Sequence, residues 1–172
     1  MAKALFIKRD DITKKTSLSG NLDSNKFLQY VEIAQEIHIQ NLIGTDLYEK
    51  IESLIIDGEG VIPVGDYKNL VDNYIKPLLI QFGMTEYLSF AAYSISNAGV
   101  YKHSMETSET VPKDEIDFLI SKHKGYADYY SNRLIEYLCT NGTRNRFPEY
   151  YTNTEDDISP DKQVTYTPWN LR

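Results

Sequence analysis

Residues 113–139 read KDEIDFLISKHKGYADYYSNRLIEYLC and carry the clearest hydrophobic periodicity in the chain. Apolar, aromatic or histidine side chains occur at positions 116, 120, 123, 127, 130, 134 and 137, in alternating steps of four and three. This spacing places them on one face of an α-helix. Pro112 suits the first turn because it lacks an amide hydrogen, and Asn141-Gly142 favours a helix end. The pattern predicts a helix that ends near Thr140.

Three further helices are predicted before this one, each with apolar residues at helical spacing. The first runs from 23 to 41, and Gly44 prevents it from continuing. The second runs from 46 to 56, and the third runs from 66 to 96. Pro77 lies inside the third helix. Its ring and its missing amide hydrogen predict a kink or a break just before it.

The first helix has more apolar surface than one neighbour requires. Ile33, Ile37 and Ile39 extend it beyond a single stripe, so we expect contacts on two sides, one of which can be another subunit. Tyrosines are abundant in the chain. Where they fall on helices, as at Tyr129-Tyr130, we expect them in the core.

The length of 172 residues and the ordinary shares of hydrophobic and charged residues fit one folded core. The sequence predicts an all-α fold, with a bundle of four to five helices over residues 23–142. An extended basic segment (1–22) precedes the bundle and an extended C-terminal arm (143–172) follows it. A short β-hairpin within 97–111 is left open, because strand-forming residues there are interrupted by small polar ones.

The C-terminal arm has few aliphatic residues, so it cannot build a core of its own. It is nevertheless rich in aromatic residues, which an inert solvated tail would lack. We therefore expect the arm to lie on a partner surface. The residues expected at this interface are Phe147, Pro148, Tyr150, Tyr151, Tyr166 and Trp169.

The net charge of -7 is unevenly distributed. Residues 1–26 carry a net charge of +3, whereas residues 27–100 carry -7. An acidic body argues against a surface that grips duplex DNA, because that affinity comes largely from Lys and Arg on phosphates. The basic residues of the first segment are expected to contact phosphate or an acidic partner, and they are Lys8, Arg9, Lys14 and Lys15.

Motifs for catalysis or cofactor binding are not found in the sequence. It has no glycine-rich phosphate loop, nucleophile elbow or zinc-protease helix. His38, His103 and His123 are too far apart for a helical metal pair, and the single Cys139 is expected to be structural. His123 is either a partly buried residue with one hydrogen-bond partner, which we favour, or a proton-transfer group. We predict no enzyme activity, no cofactor and no metal.

Membrane insertion and secretion are not expected either. The longest near-apolar stretch, 77–92, is interrupted by polar residues and is shorter than a membrane span. The apolar run of four at residues 4–7 is too short for a secretory signal. We therefore expect a cytoplasmic protein without a membrane helix.

Four short blocks, in this order, resemble the head-to-tail connector proteins of tailed bacteriophages, also called adaptor or head-completion proteins. They are Ala4-Leu5-Phe6-Ile7, Leu42-Ile43-Gly44-Thr45-Asp46-Leu47-Tyr48, Tyr74-Ile75-Lys76-Pro77 and Phe147-Pro148-Glu149-Tyr150. The resemblance is greatest to the connectors of crAss-like phages and spans most of the chain.

The resemblance implies a helical virion protein without enzymatic activity that forms a ring, usually of twelve copies, beneath the portal. Its partners would be itself, the portal protein and other neck or tail proteins, while genomic DNA passes through the hole without sequence-specific contacts. It would be located in the neck of the virion, and in the host cytoplasm during assembly. In such connectors a C-terminal arm commonly reaches onto the portal or a neighbouring subunit.

Two alternatives remain at this stage. One is a cytoplasmic regulatory or interaction module that binds a partner through its aromatic tail. The other is an enzyme that uses scattered groups such as His123 with nearby acids.

Overall fold

The computed structural model describes residues 3–15, 24–90, 93–96, 99–102, 112–140, 144–152 and 158–162. These residues form an all-α bundle with one short hairpin. The α-helices are α1 (Arg9–Lys15), α2 (Ser24–Ala34), α3 (Gln40–Ile43), α4 (Thr45–Asp57), α5 (Asp66–Leu70), α6 (Lys76–Phe90), α7 (Lys113–Cys139) and α8 (Pro148–Thr152).

The first long helix is continuous from α2 to α3 through a π-helical turn, Gln35–Ile39. The backbone stays helical at both junctions. Gly44 then ends this helix with φ 78° and ψ 160°, a backbone conformation that residues other than glycine rarely adopt. The prediction of a helix over 23–41 is confirmed, and α4 confirms the predicted second helix.

The third predicted helix is continuous through Pro77. Between α5 and α6 the chain forms a second π-helical turn, Val71–Ile75, directly before Pro77. A π turn contains one residue more than an α turn. The wider turn leaves room for the proline ring next to the preceding turn. The predicted kink or break is therefore a local widening.

This helix ends at Phe90, earlier than the predicted residue 96. The strands β1 (Tyr93–Ser96) and β2 (Gly99–Lys102) follow and pair antiparallel, with Ser96 opposite Gly99. The hairpin overlaps the predicted range of 97–111, because β2 lies within it and β1 begins four residues before it. Tyr93 and Ile95 alternate with serines, which is the period of a strand, and this local pattern determines the structure.

The core lies around α6, which packs against α2 on one side and α7 on another. Gly83 allows the close approach of α2, because a Cβ there would lie 3.0 Å from Val31 Cγ2 and 3.4 Å from Phe27 Cζ. Gln81 on the same helix contacts α7 through His123. The two outer helices therefore contact different faces of α6.

Residues 3–15 are part of this bundle, so the prediction of an extended basic segment over 1–22 is wrong for them. Phe6, Ile7 and Ile12 are buried in the core, because the segment supplies apolar side chains at close intervals. Lys76 Nζ lies 3.0 Å from Asp11 Oδ2 and also binds Asp72, so an ion pair connects α1 to α6.

Gln35, in the first π turn, holds this segment through its side-chain amide. Its Oε1 accepts a hydrogen bond from Phe6 N at 2.8 Å, and its Nε2 donates to Ala4 O at 2.9 Å. Nε2 also donates to the Tyr48 hydroxyl at 2.9 Å. The side-chain amide thus pairs with the backbone of Ala4 and Phe6 as a neighbouring strand would. All three hydrogen bonds join regions that are distant in sequence.

The C-terminal segment also packs on the bundle. Helix α8 contacts α4. Thr45 N donates to Ile158 O at 3.1 Å, and Asp161 N donates to Asn41 O at 3.0 Å. The bundle therefore extends at least to residue 162, and the predicted boundary at 142 between bundle and extended arm is corrected.

Candidate assembly surfaces

Phe147 and Tyr150, two residues predicted to contact a partner, are fully buried in their own subunit. The Phe147 ring meets Tyr67 edge-on at 5.3 Å and lies 6.1 Å from Tyr137. The prediction of a partner interface is wrong for both. The arm cannot form a core alone, but its aromatic side chains fill gaps in the core that the helices have formed.

The remaining residues of the predicted C-terminal interface are less buried or lie outside the described residues. Pro148 is exposed and Tyr151 is half-buried. The Tyr151 hydroxyl donates to Leu138 O, and Lys162 Nζ lies 5.8 Å from the Tyr151 ring. Tyr166 and Trp169 fall in the part that the structure does not describe, so their role stays a prediction.

Burial raises the pKa values of two tyrosines that connect the segments of this fold. The pKa of Tyr48 is raised to about 12, against a lowering by the hydrogen bond from Gln35. The pKa of Tyr150 is raised by burial and by its contact with Cys139. Both phenols therefore keep their protons in the folded chain at a pH where the unfolded chain loses them.

This arrangement predicts a loss of stability in alkali. Below pH 10 the two phenols are protonated in both the folded and the unfolded chain. As the pH rises from 10 toward 12, the unfolded chain loses these phenol protons and the folded chain keeps them, so the free energy of unfolding falls. Each proton steepens the slope by about 1.4 kcal/mol per pH unit. We expect urea unfolding between pH 8 and about 11 to show this slope. Tyr48→Phe or Tyr150→Phe should reduce this slope; a slope equal to that of the wild type would contradict the assignment.

The predicted basic contacts are placed at the start of the bundle. Lys8 and Arg9 are exposed at the start of α1. Lys14 and Lys15 lie in the last turn of α1, and their side chains are outside the described set. A cavity of about 270 Å³ beside α1 is lined by lysines and aspartates in equal number. Its charges balance, so phosphate binding by the basic residues stays a prediction.

Helix α7 has a second, exposed apolar stripe beside the one that packs on α6. We define this α7 stripe by Phe118, Leu119, Tyr126 and Tyr129, of which Phe118 is 60% and Tyr129 is 63% exposed. The first fourteen residues of α7 include no buried side chain. The expectation that Tyr129 and Tyr130 are core residues is wrong for Tyr129, because it lies off the stripe that packs on α6.

The α2 side carries a smaller exposed patch. We define this α2 patch by Glu32 and Ile33 at the end of α2 together with Glu36 and Ile37 in the π-helical turn that follows it. Ile37 is 52% exposed, whereas Ile39 is fully buried. Ile33 and Ile37 are therefore exposed within the subunit, and the expected contact of the first helix on a second side stays a prediction. Glu36 pairs with Lys3 at the edge of this patch.

The residues weighed for chemistry have structural contacts. His123 Nδ1 lies 2.8 Å from Gln81 Oε1, and burial lowers the His123 pKa. This contact confirms the prediction of a partly buried histidine with a hydrogen-bond partner. Cys139 is exposed, with its sulfur 3.8 Å from the Tyr150 hydroxyl.

The described residues also bear on metal and membrane binding. Within them, no three His, Cys, Asp or Glu side chains are grouped so that they could hold a metal ion. No helix in the described part of the chain has the length and hydropathy required to cross a membrane.

An all-α bundle with two exposed apolar surfaces belongs to the general class of small helical proteins. The model of the DUF6712 family, described as a family of unknown function, matches residues 39–159. The chain belongs to this family, and the match runs from the first π turn past α8. Comparisons with curated proteins and with solved structures give no match.

Proposed function

We propose that the chain is a structural virion protein that forms a ring beneath the portal of a tailed phage. The ring connects the capsid to the tail and lines the channel through which DNA leaves. It contains twelve copies, as the resemblance to connector proteins implies, and it has no catalytic role. The proposed partners are further copies of the chain, the portal protein and other neck or tail proteins.

The observation that carries this proposal is the exposed α7 stripe together with the α2 patch. Large apolar side chains on two different helices cost free energy while they face water. A ring repeats one contact by rotation, so each subunit must present two unlike surfaces. The α7 stripe and the α2 patch meet this requirement because they lie on helices that pack on different faces of α6.

Charge supports the channel role. Residues 27–100, which include α3 to α6 and most of α2, carry a net charge of -7. Acidic surfaces repel phosphates and allow DNA to move past without being held. Contact of the basic residues at the start of the chain with phosphate or an acidic partner is part of the same proposal. The alternative of an interaction module with a free aromatic tail loses its main support, because Phe147 and Tyr150 are buried.

Imaging of the purified chain tests the proposal. We expect the full chain, mixed with the portal protein from the same genome, to form a collar on the portal axis in electron micrographs. A double variant, Phe118→Asp with Tyr129→Asp, should lose the collar and keep its helical circular dichroism, because charge on the stripe opposes burial.

The matched control is Val64→Asp, at a residue that is 95% exposed and far in sequence from both surfaces. This variant should still form the collar. Absence of a collar with the wild-type chain, or a collar that survives the double variant, contradicts the proposal.

A further inference from the structure

We infer that the α7 stripe of one copy packs on the α2 patch of a second copy, with Lys122 against Glu32 and Glu36. This inference rests on the proposed function and specifies the contact that would close the ring. It is derived from three features of the described surface: the position of Lys122, the charge on α2, and the placement of the two surfaces.

Lys122 lies within the α7 stripe. It is one turn after Phe118 and one turn before Tyr126, and residues four apart share a face of a helix. Its Nζ is 5.6 Å from the centre of the Phe118 ring. The stripe is therefore an apolar surface with a cation near its middle.

The α2 patch has the opposite charge. Glu32 and Glu36 each precede one of its isoleucines, so carboxylates border the apolar pair along its length. The only described cation on Glu36 is Lys3, and the side chains of this pair are 67% exposed for Lys3 and 41% exposed for Glu36. Such an exposed pair is worth little and can be exchanged for a better-shielded one.

A second copy is the occupant that these features favour. Both surfaces are presented by every subunit, and each provides what the other lacks: isoleucines for the aromatic rings and carboxylates for the lysine. Because the surfaces are unlike, their contact leaves one of each kind free on the pair. Addition of further copies then continues until a ring closes.

The inference predicts that charge reversal weakens self-association and that a second reversal restores it. We expect the wild-type chain to associate with rising concentration in sedimentation velocity. Lys122→Glu alone, and Glu32→Lys with Glu36→Lys, should each weaken association about tenfold or more, which corresponds to about 1.4 kcal/mol. The triple variant should return close to the wild-type value.

A mixture of the two reversed chains gives an independent readout. Each then meets a complementary surface on the other at every contact, so the mixture should associate where neither chain does alone. Lys124→Glu is the matched control, because Lys124 lies on the same helix away from the stripe. It should associate like the wild type.

The outcomes separate this inference from the proposed function. A wild-type chain that stays monomeric at every concentration, or a triple variant and a mixture that both fail to associate, overturns the inference. The proposed function then stands or falls on the collar formed with the portal protein.

Discussion

Phe147→Ala lowers the free energy of unfolding by about 3–5 kcal/mol, as expected for truncation of a fully buried phenylalanine. The ring packs against Tyr67 of α5 and Tyr137 of α7, so its removal leaves a cavity in the core. Urea or thermal unfolding followed by circular dichroism measures the change.

Phe118→Ala is the matched control for this variant. The same atoms are removed there from a ring that is mostly exposed on the α7 stripe, so we expect a change below about 1 kcal/mol. Deletion of residues 147–172 should destabilise the chain at least as much as Phe147→Ala. Equal stability of the two alanine variants would show that the C-terminal segment does not support the core.

Gln35→Leu lowers the free energy of unfolding by about 2–4 kcal/mol, although leucine is more hydrophobic and similar in size. The substitution leaves the buried Phe6 N–H and the partly buried Ala4 C=O without their partner. Each such group costs about 1–3 kcal/mol, and the burial of a leucine offsets part of this loss. Chemical unfolding again measures the difference.

The matched control is Gln29→Leu on the same helix, because Gln29 is exposed. We expect its stability to change by less than about 0.5 kcal/mol. Hydrogen exchange gives a second measurement, since the Phe6 amide should lose protection in Gln35→Leu and keep it in the control. Unchanged protection would mean that water or another group replaces the glutamine.

The sequence was sufficient for the helices because their periodicity is local. The α7 pattern over 113–139 and the glycine at 44 predict helix limits to within a few residues of the observed ones. The π turn before Pro77 was not predictable beyond some distortion, because the choice between a kink and a widened turn depends on the neighbouring helices. The end of the third helix at Phe90 was not predicted, because the apolar residues that follow fit the period of a helix as well as that of a strand.

The candidate site was predicted less well because exposure depends on tertiary packing. Phe147 and Tyr150 resemble interface anchors in sequence, yet they are core residues. Tyr129 resembles a core residue, yet it is exposed. One signal was present: Phe118, Tyr126 and Tyr129 lie off the stripe that runs through Ile116 and Ala127, so a helical wheel of 113–139 separates two apolar faces.

The residues that support self-assembly are therefore different from those predicted from the sequence. The aromatic C-terminal arm does not support assembly, since residues 147–152 and 158–162 pack on their own bundle. The exposed surfaces on α7 and α2 support it instead. A ring built through these surfaces requires no ordering of the C-terminal segment upon assembly, so its entropy cost is smaller.

The contacts from both outer segments to the middle of the chain have a consequence for synthesis. Ala4 N bonds to Glu52, and Thr45 N bonds to Ile158 O, so α4 connects to early and late parts of the sequence. Nascent chain that has not yet extended past residue 158 lacks the second connection. Final closure of the core therefore waits until this region leaves the ribosome, and slow, late folding is expected of such distant pairings.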